Sequence, residues 1–224
     1  MTRQRAPQRP RLQSETLARR AYNHLEEMIL TLELAPGSIV TEGDLVRRTG
    51  MGRTPLREAL LRLGREKLVD ILPRRGIIVS DINLAQYLSL LEARRVLDRL
   101  IAEKAAKRAT PAQREELLRL ASESGKEAVR SDIAEFMRLD RTIDRVVESA
   151  ARSLFAVEAV RPMHAHCRRF WYVYQQHGDL ATAAGFHARL IRAVASGKES
   201  AAGRASDELV DYLDRFTRKT LDQL

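Results

Sequence analysis

Apolar residues recur at helical spacing almost from the start of the chain. Leu17, Ala21, Leu25, Met28, Ile29 and Leu32 make one stripe, which predicts a helix from Ser14 up to the Pro36-Gly37 turn. Thr41 with Asp44 three residues on is a capping-box start; Leu45 and Val46 supply the apolar side of a short helix that Gly50 can end. A second start follows, with Thr54 as N-cap, Pro55 at the first helical position, and Leu56, Ala59, Leu60 and Leu63 on one face. The period then changes: Leu68-Val69-Asp70-Ile71 and Ile77-Ile78-Val79 read as paired strands around a Pro73-Arg74-Arg75-Gly76 tip. Beyond Ser80 only amphipathic helical stretches follow, roughly Leu84 to Arg108, Pro111 to Arg130, Asp132 to Ala151, Ser153 to Gln176, Leu180 to Ser196 and Glu199 to Leu224. Their short connections predict antiparallel neighbours.

The pattern gives a mainly α protein in three parts. Residues 1–13 form a basic tail, 14–80 a winged helix-turn-helix of three helices and a small β-hairpin, and 81–224 an all-α antiparallel helical bundle. A helix that enters a DNA groove presents its N-terminal end, where backbone N–H groups and the helix dipole favour phosphate. Gly52, Arg53, Thr54 and Arg57 occupy that end, and Arg74, Arg75 and Gly76 form a hairpin tip suited to a phosphate backbone or minor groove. An arginine can grip guanine or pin a phosphate, so base reading is assigned to the helix and not to single residues.

Charge strengthens this picture. The net charge of +9 divides into +6 over residues 1–80 and +3 over residues 81–224, so the positive excess sits with the DNA reader. Arg3, Arg5, Arg9 and Arg11 lie in a stretch with no acid and no apolar segment, which is neither a signal peptide nor a membrane anchor and could follow DNA as a basic arm. Cys167 is the only cysteine, so no internal disulfide or thiolate zinc cluster can form, which suits a reducing cytoplasm.

The segment from Leu34 to Val79 closely resembles the winged helix-turn-helix of the GntR family, on Ala35-Pro36-Gly37, Thr41-Glu42, Gly52-Arg53-Thr54-Pro55-Leu56-Arg57-Glu58-Ala59-Leu60, Glu66-Lys67-Leu68-Val69 and Arg74-Arg75-Gly76. Gly43 departs from it, since the family often has a DNA-contacting Arg there; Arg47 or Arg48 is the replacement to expect. The C-terminal half resembles the FCD ligand-binding domain of the FadR-type branch, on Leu91 to Asp98, Leu139 to Asp144, and Phe186-His187 through Ala193 to Gly197.

That resemblance implies a divalent metal held by an Asp, a His four residues later, and two further His residues. Asp140 and His187 match, but Asp144 stands at the first His position and Leu209, 22 residues beyond His187, at the last. Periodicity independently turns Asp140 and His187 inward, beside Phe136, Ile143 and Val147 on one helix and Ala183, Leu190, Ile191 and Val194 on the other. Asp140, Asp144 and His187 are therefore read either as an oxygen-rich site, better matched to Mg²⁺ or Mn²⁺ than to Zn²⁺, or as a hydrogen-bonded Asp–His pair beside an exposed Asp144. His164 and His166 are two apart and cannot share a helix face, but His164 lies near the apolar side and can line a pocket. Arg94 matches a family arginine and could clamp a ligand carboxylate, with a surface ion pair to Asp98 at i+4 as the alternative.

The function expected is a cytoplasmic, homodimeric regulator, a repressor by family habit, that binds a palindromic operator in double-stranded DNA. Its affinity would be set by a small metabolite, anionic if Arg94 clamps a carboxylate, bound through Arg94, Asp140, Asp144, His164 and His187. No catalysis and no membrane are implied. A DNA-binding module without effector stays open; a metal-dependent hydrolase is remote, because no HExxH or nucleophile-and-base constellation is present.

Overall fold

The computed structural model describes residues 16–175 and 179–223, so the basic tail lies outside the described residues. Helix α1 (Leu17–Leu30) starts where the Thr16 side chain accepts the Arg19 N–H. Ala21, Leu25, Met28 and Ile29 are buried as the stripe requires, but Leu17 is exposed. The helix ends before the Pro36-Gly37 turn, because the chain reverses at Leu32, whose φ of 62° is left-handed. A short strand that periodicity could not reveal follows, β1 (Ile39–Val40).

Helix α2 (Glu42–Thr49) is opened by the reciprocal Thr41/Asp44 capping box and closed by Gly50 in the left-handed conformation, both as the residues dictate. Helix α3 (Arg53–Arg65) begins earlier than a Thr54 cap would put it. Gly52 is the N-cap and supplies no side-chain bond, so Thr54 sits inside the first turn, exposed. Strands β2 (Val69–Leu72) and β3 (Gly76–Val79) pair antiparallel, and β1 adds to the other edge of β3, giving a three-stranded sheet of order β1-β3-β2 rather than a bare hairpin. Gly76 is required at the wing: its φ is 108° and a Cβ there would stand 2.9 Å from the Val40 carbonyl oxygen.

The bundle comprises α4 (Leu84–Arg108), α5 (Pro111–Arg130), α6 (Ile133–Ala151), α7 (Leu154–Tyr174), α8 (Asp179–Ala195) and α9 (Glu199–Leu221). These bounds fall close to those read from periodicity, since Thr110, Asp132 and the Gly197 turn punctuate the chain at the expected places. Helix α4 runs through the middle, packed against α6, α7, α8 and α9. Helix α7 also meets the winged part. Its Ala165 belongs to the same buried cluster as Leu25, Leu56 and Leu63. The His166 Nε2–H donates to the Glu66 carbonyl at 2.8 Å, and Arg169 donates to the Ser80 carbonyl. Burial holds the His166 imidazole below its ordinary pKa, which suits a neutral ring donating one bond. A Glu26–Arg141 pair at 3.3 Å, largely buried, joins α1 to α6.

Candidate DNA-reading surface and ligand cavity

The outward face of α3 begins with Arg53, Thr54 and Arg57, all exposed, because Leu56, Ala59, Leu60 and Leu63 turn the opposite face into the core. Arg74 and Arg75 are exposed at the wing tip. Arg53, Arg74 and Arg75 make no ion pair among the described residues. The Arg57 Nε–H is shared between the two carboxylate oxygens of Glu42, at 2.9 and 3.0 Å, and Arg47 pairs with Asp44. Arg48 is turned away, holding the Glu33 carboxylate and carbonyl at 2.9 Å. Exposed pairs of this kind contribute only about 0–1 kcal/mol, so phosphate can displace them. Beside Gly43, the Arg47 guanidinium lies 3.7 Å from where a Cβ would stand. Arg47 therefore lies beside that position, at ordinary contact distance.

The second site is a cavity of about 80 Å³ inside the bundle, room for several waters or a small molecule. Its charged side chains include three pairs, each one helical turn apart: Arg94 and Asp98 on α4, Asp140 and Asp144 on α6, His164 and Arg168 on α7. Phe136, Ile143, Trp171, Leu190 and Leu209 line much of the rest. Arg94, Asp140, Asp144 and His164 thus sit around a common centre with His187 on α8, as the sequence pattern expects of the effector candidates. Arg168 joins them unannounced.

Arg168 is the residue that organises the site. Its Nη1 donates to Asp144 at 2.7 Å and to Asp140 at 3.3 Å. His164 Nε2 lies 2.7 Å from Asp98 and its Nδ1 3.1 Å from Asp144. Arg94 does form the i+4 pair with Asp98, at 2.8 Å, but buried and not on the surface. Burial disfavours charge on His164, yet Asp144 and Asp98 outweigh it and its pKa is pushed up to about 10. Burial also opposes charge on Asp144, but His164 and Arg168 hold its carboxyl well below the usual range. Three cations thus stand against the three carboxylates of Asp98, Asp140 and Asp144, a balanced set in a low-dielectric interior. Glu148, raised by burial, is paired with Arg161 at 2.8 Å.

The residues do not fit the metal that the resemblance implies. The cation between Asp140 and Asp144 is the Arg168 guanidinium, Leu209 has no donor atom, and among the described residues no group of three His, Cys, Asp or Glu is arranged to hold a metal ion. The expected set of Asp140, Asp144 and His187 is divided as well, since Asp144 turns to Arg168 and His164 while His187 faces Asp140, at 3.2 Å. Nor is Asp144 the exposed bystander of the alternative reading. Among the described residues of the cavity, four buried polar atoms lack hydrogen bonds: Asp140 Oδ1, His164 Nδ1, Arg168 Nε and Trp171 Nε1. The first two have ionic neighbours at the distances above. Unsatisfied groups of this kind cost about 1–3 kcal/mol each, which a ligand with hydrogen-bonding atoms would recover.

Sequence reasoning missed Arg168, whose signal was its place one turn after His164 on the apolar side of α7. Among the described residues no helix is long and apolar enough to cross a membrane.

Comparison with known proteins bears on both surfaces. The model of bacterial regulatory proteins of the gntR family matches residues 17–79, and that of the FCD domain residues 89–212. An HTH-type transcriptional regulator from an unstable DNA locus of Streptomyces ambofaciens is 44% identical over 71 residues, 32% of this chain and 30% of its own length. The HTH-type transcriptional repressor RspR of Escherichia coli K12 is 26% identical over 156 residues, 70% of this chain and 68% of its own. The solved structure of E. coli McbR/YncC shares the fold with a TM-score of 0.78 at 18% identity, covering 93% of this chain and 98% of that one.

Proposed function

The chain belongs to the GntR family of bacterial regulatory proteins, with an FCD domain behind its winged part, and on that footing we propose that it is a metabolite-responsive transcriptional repressor. DNA binding and regulation of transcription follow from the family. The repressor sense follows the likeness to RspR, a relative whose name carries it. The assignment of residues rests on one observation: the face of α3 turned from the core, with the wing, presents Arg53, Arg74 and Arg75 without ion-pair partners among the described residues.

In this reading Arg53, Thr54 and Arg57 enter the major groove from the start of α3, with the Gly52 backbone N–H at phosphate. Arg74 and Arg75 follow the backbone from the wing, and Gly76 allows the wing its turn. Arg47 takes the role left open at Gly43. Arg48, engaged by Glu33, has the weaker claim. Two copies would match a palindromic operator, and Val96 and Leu100, one turn apart and exposed on α4, are suited to a dimer contact.

The effector occupies the cavity of the bundle. The unsatisfied atoms of His164, Arg168 and Trp171 are donors and that of Asp140 is an acceptor, so the ligand offers several acceptor oxygens and at least one donor on a small, partly apolar body. The charge balance there and the engagement of Arg94 by Asp98 favour a neutral or zwitterionic metabolite over a simple anion. No divalent metal takes part, because Arg168 already supplies the cation. We assign no catalytic step. Effector binding biases the placement of the two winged parts, and its differential affinity for the two states sets operator occupancy.

Fluorescence anisotropy on duplexes selected from random DNA tests the reading. Arg53→Ala and Arg57→Ala should each weaken binding about tenfold or more with the thermal midpoint unchanged. Unchanged affinity in both would remove α3 as the reader. Flat affinity across a metabolite panel would leave a DNA-binding module with no effector.

A further inference from the structure

A second hollow, a cleft of about 150 Å³, lies where the winged part meets the bundle, with walls from α1, α3, α6 and α7. Tyr22 of α1 lines it, buried, with the Arg62 guanidinium of the reader helix over its ring, 3.8 Å from the centroid. The Tyr22 hydroxyl stands between two carboxylates. It donates to Glu66 Oε2 at 2.6 Å and has Glu26 Oε1 within reach at 3.3 Å. A phenol carries one proton, so a full bond to one carboxylate is made at the expense of the other. Burial above all, then Glu26 and Glu66, pushes the phenol pKa up, so the hydroxyl remains a donor throughout the neutral range.

The two acceptors belong to different assemblies. Glu66 is the C-cap of α3, holds Arg62 at 2.9 Å and accepts the His166 bond through its carbonyl. Glu26 is buried and turns its other oxygen to Arg141 of the bundle, at 3.3 Å. Arg168 lines the same cleft, and Glu26 is near enough to favour its charge. At the bundle cavity Arg168 is held in turn by Asp140 and Asp144.

On the reading of the bundle cavity as the effector site, we infer that Tyr22 is the positioning residue through which that cavity acts on the reader helix, by turning its hydroxyl bond between Glu66 and Glu26. The proton stays on the phenol oxygen; only its acceptor changes. A ligand oxygen that draws Arg168 into the cavity takes positive charge away from Glu26, which then competes more strongly for the hydroxyl. Glu66 loses its bond to α1, and the end of α3 is held less firmly. A ligand donor that occupies Asp140 and Asp144 works in the opposite sense, because Arg168 is released toward Glu26. One proton with two acceptors is a two-state element that both ends of the route can bias. A bond that served stability alone would have no such effect on DNA affinity.

A double-mutant cycle read on DNA tests the role of Tyr22, with fluorescence anisotropy on a duplex selected from random DNA by the parent chain. Asp144→Asn loosens the hold of the cavity on Arg168 and should change the dissociation constant by about threefold or more, although the partners of Asp144 are His164 and Arg168 of the bundle. In the Tyr22→Phe background, which removes the hydroxyl and keeps the ring under Arg62, the same substitution should change it by less than about 1.5-fold. An equal change in both backgrounds, or none in the parent chain, overturns the relay. If Tyr22→Phe fails to fold, Glu26→Gln takes its place in the cycle, with the same outcomes expected. Hydrogen exchange gives a second readout: the amides of Glu66, Lys67 and Leu68, which close the end of α3, should exchange at an altered rate in Asp144→Asn, and an unaltered rate overturns the relay as well. A metabolite that shifts operator affinity equally in the parent and Tyr22→Phe chains overturns the relay and keeps the effector cavity. A metabolite panel flat in the parent chain counts against the cavity, and the cycle still decides Tyr22.

Discussion

The two hollows share one wall and little else. The bundle cavity is mostly apolar and sets Arg94, His164 and Arg168 against Asp98, Asp140 and Asp144, whereas the cleft is polar, lined by six arginines and three carboxylates among the described residues. The difference comes from where the arginines originate. In the cavity each charged group has a partner one helical turn away or on the facing helix, and burial enforces neutrality. In the cleft two separately built surfaces bring their charges together, and pairs form across the junction, as between Arg141 on α6 and Glu26 on α1. A balanced interior selects ligands by shape and hydrogen bonds, and a junction of paired charges holds two parts of the molecule together.

The largest way to disturb this contrast is Arg168→Met. It removes the one arginine that, among the described residues, both hollows share and leaves Asp140 and Asp144 without the guanidinium between them, so stability should fall by about 3–5 kcal/mol in urea titration. Adding Asp140→Asn and Asp144→Asn should return much of the loss, since like charges then no longer oppose. Absence of recovery would mean that packing, not charge, is what Arg168 provides.

His164 gives the next effect and fixes its sign. Its folded pKa of about 10 lies above the ordinary 6.5, so its contribution is complete below pH 6.5 and is lost as pH rises toward 10. The carboxylates of Asp98 and Asp144 face it from α4 and α6, with Arg94 opposing. Urea midpoints should decline between pH 7 and about 10 in the parent chain, and His164→Gln should flatten that slope.

A smaller effect isolates the cleft. Glu26→Gln weakens the bond from α1 to Arg141 without touching the cavity, and should lower stability by about 1–2 kcal/mol in urea titration. An unchanged urea midpoint would show that the pair contributes nothing to the junction. The smallest expected effect is none: dialysis against EDTA should leave the thermal midpoint and effector response of the parent chain unchanged, since a guanidinium fills the place of a metal. A fall in either would restore the metal.

Local signals made the reader legible. The Thr41/Asp44 box, the Gly50 stop and the apolar faces of α1 and α3 are written in residues three or four apart, which is why the helices stand where periodicity puts them. Two residues are too few to carry a period, so β1 could not be read, and Thr54 looked like a cap because its chemistry suits one while Gly52 has the extended backbone. The site was half legible. Asp140 and His187 showed through helix phase, but the pairing of Asp144 with Arg168 spans 24 residues of chain and two helices. Buried arginine has no sequence signature apart from its phase, and the cleft joins four elements whose proximity only the fold supplies.

One bond at the junction bears on how such regulators evolve. The His166 ring donates to the carbonyl of Glu66, the residue that caps the reader helix, and Ala165 fills the core beneath it. The DNA-reading module is therefore finished by an element of its neighbour. Recombination that exchanged the module between bundles would leave a frayed helix end and a hole in the core unless the His-Ala edge of α7 travelled with it, so the unit of inheritance is larger than the unit that touches DNA.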